Sequence, residues 1–254
     1  MNTLRTWPPQ PHGSAEIALG HALPLIPGAS VGLATFAMGG EGDLSGDFCT
    51  SVLAGERWLI AVGDMEGKGR AASSSVDECR RLLHDTAESG VRPHELVAML
   101  NDVLAGTGRP EDSRPCAVCV VSLRPCEGGF AGRVCNGGSP LPLVARANGE
   151  LDALGGPNLA AGYFPKPTWN DWAFELSPGD TLIILTDGLV DSRSPQGFFG
   201  DERLDLAAQK LAAQHVGDGA AIAAGLVAEA QRFALPHLPQ DDMLVLAVSV
   251  PHRT

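Results

Sequence analysis

The sequence predicts a layered α+β domain, and three observations carry that expectation. Hairpin strands come first, two amphipathic helices follow, and strands then resume without the strict strand–helix alternation of a parallel doubly wound sheet. Two continuous apolar runs of strand length, residues 58–62 and 181–186, each stop at a carboxylate beside glycine, Asp64 after Gly63 and Asp187 before Gly188. The chain of 254 residues is 44% apolar, enough for a sizeable core. No linker or repeat divides it, so residues 15–254 are expected to form one domain behind a flexible arm at residues 1–14, which carries Pro8, Pro9, Pro11 and Gly13.

After the arm, residues 15–23 suit a short helix and residues 31–38 a strand. A glycine-rich turn at 39–42 leads to a second strand, 45–53, with Asp47 near its start. Ala54, Gly55 and Glu56 form a hairpin-type turn into the strand that ends at Asp64. Glycines 63, 67 and 69 allow a tight path there, bringing main-chain carbonyls close to whatever Asp64 holds. From 71 to 89, Val76, Cys79, Leu82, Leu83 and Thr86 share one helical face, and Pro93 opens a second helix with Leu96, Val97, Leu100 and Leu104 at helical spacing. Met99 and Val103 belong with the apolar positions of the second helix, and both helices should pack on one face of a sheet. Strands are expected at 116–123, 129–136, 141–145, 172–176 and 181–186, helices at 204–215 and 220–233, and a last strand at 243–250 directly after Gln240, Asp241 and Asp242.

Charge and cysteine use narrow the function classes. A formal charge of −12 argues against a nucleic-acid or anionic-membrane partner. No apolar run is long enough to span a bilayer and the N-terminus lacks a signal-peptide pattern, so the expected location is cytoplasmic. Cys116 and Cys119 have zinc-like spacing but lie in an apolar strand, where small buried thiols are the simpler reading. Trp58, Trp169 and Trp172 are expected in or near the core, and the seven histidines are scattered.

Asp47, Asp64, Asp187 and Asp241 all lie at strand ends beside turns. A single aspartate in a turn usually caps or is solvated. Four of them converging with no Lys or Arg in the same motifs would repel unless cations held them, and oxygen-only ligands select hard ions, Mg²⁺ or Mn²⁺. The turn after Asp64 lets a backbone carbonyl, that of Met65, complete the set. Lys68 is a candidate for contact with a substrate phosphate, against its ordinary reading as a solvated charge.

The segments SGDFCTSV (45–52), VGDMEGKGRAA (62–72), SPGDTLIILTDGLVD (177–191) and QDDMLVL (240–246), with the Asn136–Gly137–Gly138–Ser139–Pro140 turn, resemble the ordered motifs of metal-dependent Ser/Thr protein phosphatases of the PPM (type 2C) class, SpoIIE-like branch. The resemblance runs from about Pro24 to Val250. It implies a four-layer αββα sandwich, two antiparallel sheets flanked by helices, with a centre of two Mn²⁺ or Mg²⁺ ions at one end. Carried over residue by residue, Asp64 would bridge both ions, Met65 would offer its carbonyl, Asp47 would bind one ion, and Asp187 and Asp241 the other. Water bridging the two metals would then attack the phosphoserine or phosphothreonine phosphorus in line. Three positions depart from the pattern: Thr50 stands where many members carry a second acid, Ser139 replaces His, and Leu244 replaces Thr.

The expected function is therefore a stand-alone metal-dependent protein phosphatase, whose substrate by resemblance is a phosphorylated STAS-type anti-sigma-factor antagonist. The rivals are a non-catalytic partner-switching module of the same fold and a hydrolase of small phosphoesters or nucleotides.

Overall fold

The computed structural model describes residues 25–38, 46–67, 70–106 and 113–252. The expected arm, the 15–23 helix and Lys68 lie outside the described residues. The first antiparallel sheet has the order β1-β12-β9-β6-β7, formed by β1 (Ser30–Phe36), β12 (Met243–Ser249), β9 (Thr181–Leu185), β6 (Leu143–Ala145) and β7 (Leu151–Ala153). The second has the order β2-β3-β4-β5-β8, formed by β2 (Asp47–Ala54), β3 (Arg57–Met65), β4 (Cys116–Cys126), β5 (Gly129–Gly137) and β8 (Trp172–Leu176). Helices α1 (Arg70–Ala87) and α2 (Pro93–Leu104) cover the second sheet, and α4 (Gly200–Gln214) and α5 (Gly219–Ala234) the first. The αββα sandwich is thus present. Three short pieces had no periodic signal in the sequence: β7, the hairpin β10 (Arg193–Ser194) with β11 (Gly197–Phe198), and α3 (Asp187–Val190).

Why the central strands read as unbroken apolar runs follows from this layering. Side chains alternate across a strand, and here both faces are covered. Ile60 and Val62 enter the core between the sheets, while Leu59 and Ala61 face α1 and α2. Leu244, Leu246 and Val248 likewise face inward, and Met243, Val245 and Ala247 meet α4 and α5. Trp58 and Trp169 are buried and Trp172 is partly buried, as expected. Cys116 and Cys119 are buried free thiols on opposite faces of β4, which cannot share an ion, so the strand reading of that segment holds.

One hairpin sets the geometry of the acid-bearing end. β2 and β3 are joined through Gly55 and Glu56, with Gly55 in the left-handed region at φ 60°. Ala54 pairs with Arg57, and counting outward from that pair brings Asp47 directly opposite Asp64. A slip of one residue would put the two carboxylates on opposite faces of the sheet.

Candidate metal centre

Two directly opposed carboxylates on neighbouring strands repel, and this pair also points into the space between the sheets. Asp47 lies on the same face of β2 as Cys49, and Asp64 on the same face of β3 as Ile60 and Val62. From the other sheet, β9 ends at Thr186 and hands Asp187 to the first position of α3, while Asp241 and Asp242 immediately precede β12. Strand ends from both sheets therefore deliver acids to one mouth of the sandwich.

The electrostatics show which acids sense one another. Asp47 is only 5% exposed. Burial pushes its carboxyl well above the usual range, and the charges of Asp64, Asp242 and Asp187 push it further, against one hydrogen bond from Thr186 that pulls it down. Asp187 is raised by burial and by the charges of Asp191 and Asp241. Asp241 is exposed and accepts the Asp242 amide at 3.0 Å. The structure thus brings Asp47, Asp64, Asp187 and Asp241 to the same end of the fold. Asp187 follows the strand as its sequence context suggests and opens a four-residue helix.

Backbone close approaches fit oxygen ligation. A Cβ placed on Gly46 would lie 2.4 Å from the Met65 carbonyl oxygen and 2.6 Å from Asp64 Oδ1, so glycine is required for these two oxygens to share one side of the cleft. The Met65 amide donates to the Gly46 carbonyl at 3.0 Å, which fixes the turn. Gly188 has the same function on the opposite side: its Cβ would lie 1.9 Å from the Asp242 carbonyl oxygen. The donor set is all oxygen and carries excess negative charge, which suits a hard divalent cation. Among the described residues no group of three or more His, Cys, Asp or Glu side chains is arranged to hold an ion by itself.

Thr186, Asp242, Asp191 and Gly46 have roles here that the motif reading did not single out. Thr186 is 3% exposed; its hydroxyl donates to Asp47 Oδ2 at 2.9 Å and accepts the Leu244 amide at 2.9 Å, and its own amide donates to the Leu244 carbonyl at 3.0 Å. One side chain thereby ties β9 and β12 of the first sheet to Asp47 of the second. Asp242 accepts the Met38 amide at 2.7 Å, anchoring the segment after β1. A threonine directly before an Asp–Gly pair at a strand end was the available signal for Thr186; nothing in sequence distinguished Asp242 from Asp241.

The three departures acquire physical readings. Thr50 is on the helix-facing side of β2 with Phe48, the face opposite Asp47, and its buried hydroxyl has no partner. Asn136 holds the 136–140 turn through the Ser139 backbone, donating to its carbonyl at 2.7 Å and accepting its amide at 2.9 Å, so the turn does not depend on the side chain at 139. Leu244 supplies only backbone groups to Thr186 while its side chain fills the inter-sheet core.

Two antiparallel sheets between helix pairs, with acids at one mouth, define the PP2C-type phosphatase fold. The family model for stage II sporulation protein E (SpoIIE) matches residues 54–251, and the chain belongs to that family. It is 28% identical over 189 residues to Protein IcfG of Synechocystis sp., covering 63% of this chain and 29% of IcfG. It is 23% identical over 173 residues to the phosphoserine phosphatase RsbU of Bacillus subtilis, covering 68% of this chain and 50% of RsbU. The chain spans half or less of these relatives. Among solved structures, the phosphatase domain of B. subtilis SpoIIE with a fragment of its regulatory domain superposes with a TM-score of 0.72 at 23% identity, covering 89% of this chain and 64% of that one. RsbX, solved in complex with magnesium, superposes with a TM-score of 0.60 at 14% identity, covering 86% and 94%. At these identities the superpositions establish the fold. No helix among the described residues is long and apolar enough to cross a membrane.

Proposed function

We propose that the chain is a metal-dependent protein serine/threonine phosphatase acting on a phosphorylated regulatory protein, with a phosphorylated anti-sigma-factor antagonist of the STAS type as its substrate class. The observation that carries this reading is the pairing of buried Asp47 with Asp64 across one hairpin, facing Asp187 and Asp241 from the other sheet. A surface evolved only for binding has no use for opposed, partly buried carboxylates whose charges raise the proton affinity of Asp47 and Asp187. The family membership and the name carried by RsbU support the same class of reaction.

Asp47, Asp64, Asp187, Asp241 and the Met65 carbonyl would hold two Mn²⁺ or Mg²⁺ ions. When bound, the ions supply charge neutralisation for a phosphate group and acidification of water. The chain's own contributions are orientation and room. Thr186 donates to Asp47 Oδ2 and so orients the carboxylate toward the mouth of the sandwich. Gly46 keeps the space beside Asp64 Oδ1 and the Met65 carbonyl clear. Asp242 holds the segment after β1 through the Met38 amide.

The test is turnover of a phosphoserine peptide, p-nitrophenyl phosphate and a nucleotide, each with and without Mn²⁺. The reading expects Mn²⁺-dependent hydrolysis of peptide and aryl phosphate that is lost in Asp187→Asn. Turnover indifferent to metal and to that substitution would remove it, and faster hydrolysis of the nucleotide than of the peptide would replace protein by small-molecule substrate.

A further inference from the structure

The two sheets differ in how fully their outer faces are covered. Rungs of the second sheet nearest the acids lie under α1 and α2, where Val118, Val120 and Cys135 are buried. Toward the far ends of β3, β4 and β5 the same face emerges as a groove of about 770 Å³. Four arginines line it, Arg57, Arg92, Arg124 and Arg133, in a chain with only 18 Lys and Arg and a net charge of −12. That concentration is opposite in sign to the rest of the molecule.

Of the four arginines only Arg92 is in an ion pair among the described residues. Arg92 is paired with Asp171 at 2.9 Å. Arg57 donates to the carbonyls of Ala87 and Val91 at 3.0 and 2.8 Å, which fixes its guanidinium at the groove wall without a carboxylate. Arg124 and Arg133 are exposed, and among the described residues they join no ion pair or hydrogen bond. Glu175 is the one acid lining the groove.

Register explains the spacing. Ser122 pairs with Arg133 and Arg124 with Ala131, so the two free arginines are diagonal neighbours on one face of adjacent strands. Diagonal neighbours stand about 7–8 Å apart. Alternate side chains of an extended peptide repeat at about 6.8 Å, so carboxylates two residues apart would meet both guanidinium groups. Ala131, Gly132 and Ala173 keep the floor low enough for a main chain to lie between them.

We infer that this groove docks an extended acidic segment of a partner protein. Its position supports a docking role: Arg57 and Asp64 are seven residues apart on β3, roughly 23 Å along an extended strand, so the groove cannot reach a phosphate held at the acids. The chemistry favours an acidic polypeptide over nucleic acid. A continuous polyphosphate would run past the four arginines of a chain whose net charge is −12, and the groove offers no exposed aromatic ring for base stacking, since Phe174 is buried.

The inference stands apart from the catalytic reading and is tested by binding. Fluorescence anisotropy of labelled decaglutamate with the full chain should show saturable binding that weakens with salt. Arg124→Ala/Arg133→Ala should weaken it by about tenfold or more, while Lys210→Ala on α4 leaves it unchanged. Turnover of p-nitrophenyl phosphate should be the same in all three proteins, because neither arginine approaches the acids. Equal affinity in the double variant, no saturable binding, or better competition by a single-stranded oligonucleotide of equal length would each overturn the inference.

Discussion

The two sheets bring acid to the same mouth by different means. In the second sheet the hairpin register does everything: once Gly55 and Glu56 make the turn, Asp47 and Asp64 must face each other. In the first sheet no register opposes two acids. Asp187 heads a four-residue helix and Asp241 lies on exposed chain before β12, so their positions depend on Gly188 packing on the Asp242 carbonyl and on Thr186. The hairpin half is rigid and electrostatically costly, whereas the other half is adjustable, and Thr186 couples them.

That contrast can be broken most sharply at the hairpin. Asp64→Asn should lower Mn²⁺-dependent turnover by about 10²–10³-fold with the fold intact by circular dichroism. A smaller loss than in Asp241→Asn would reverse the assignment of rigid and adjustable halves. Next in size is the coupling itself. Thr186→Val removes the hydroxyl from Asp47 Oδ2 and from the Leu244 amide, and should weaken Mn²⁺ binding by about 10–100-fold in a calorimetric titration. Thr186→Ser should restore most of it, a recovery that a packing defect alone would not show.

The electrostatic cost can be read in metal-free protein. Asp47 holds its proton more tightly folded than unfolded, so the folded state loses stability as pH rises from the ordinary carboxylate range through the raised value. Below both values the contribution vanishes. Metal-free Asp47→Asn should therefore melt higher than the parent at neutral pH, by about 2–4 °C for each 1 kcal/mol of relief, with no difference in acid. Smallest is Thr50→Val. It removes a buried hydroxyl without a partner, and should stabilise the protein by about 1 kcal/mol in urea unfolding while leaving turnover unchanged. A loss of activity would mean that position 50 serves the site despite facing the helices.

The sequence made the elements legible because their signals were local. Runs at 58–62 and 181–186 announced strands covered on both faces, and α1 and α2 showed a single apolar stripe each. The four acids were visible as strand-end carboxylates. Their pairing was only partly so: the hairpin turn implied the register, but the crossing from β9 to β2 is a contact between residues 139 positions apart, set by how the sheets stack. Asp187 looked like a strand end because a four-residue helix is too short to show a period. The arginine groove was hidden because its members come from four separate segments, three of them strands brought together by pairing.

Acids from both sheets should act on the same ions. Calorimetric titration of Mn²⁺ into the parent, Asp47→Asn and Asp187→Asn tests it most directly. Binding is expected in the parent, with severe weakening in both variants, one from each sheet. Parent-like binding in Asp187→Asn, with loss in Asp47→Asn alone, would contradict it.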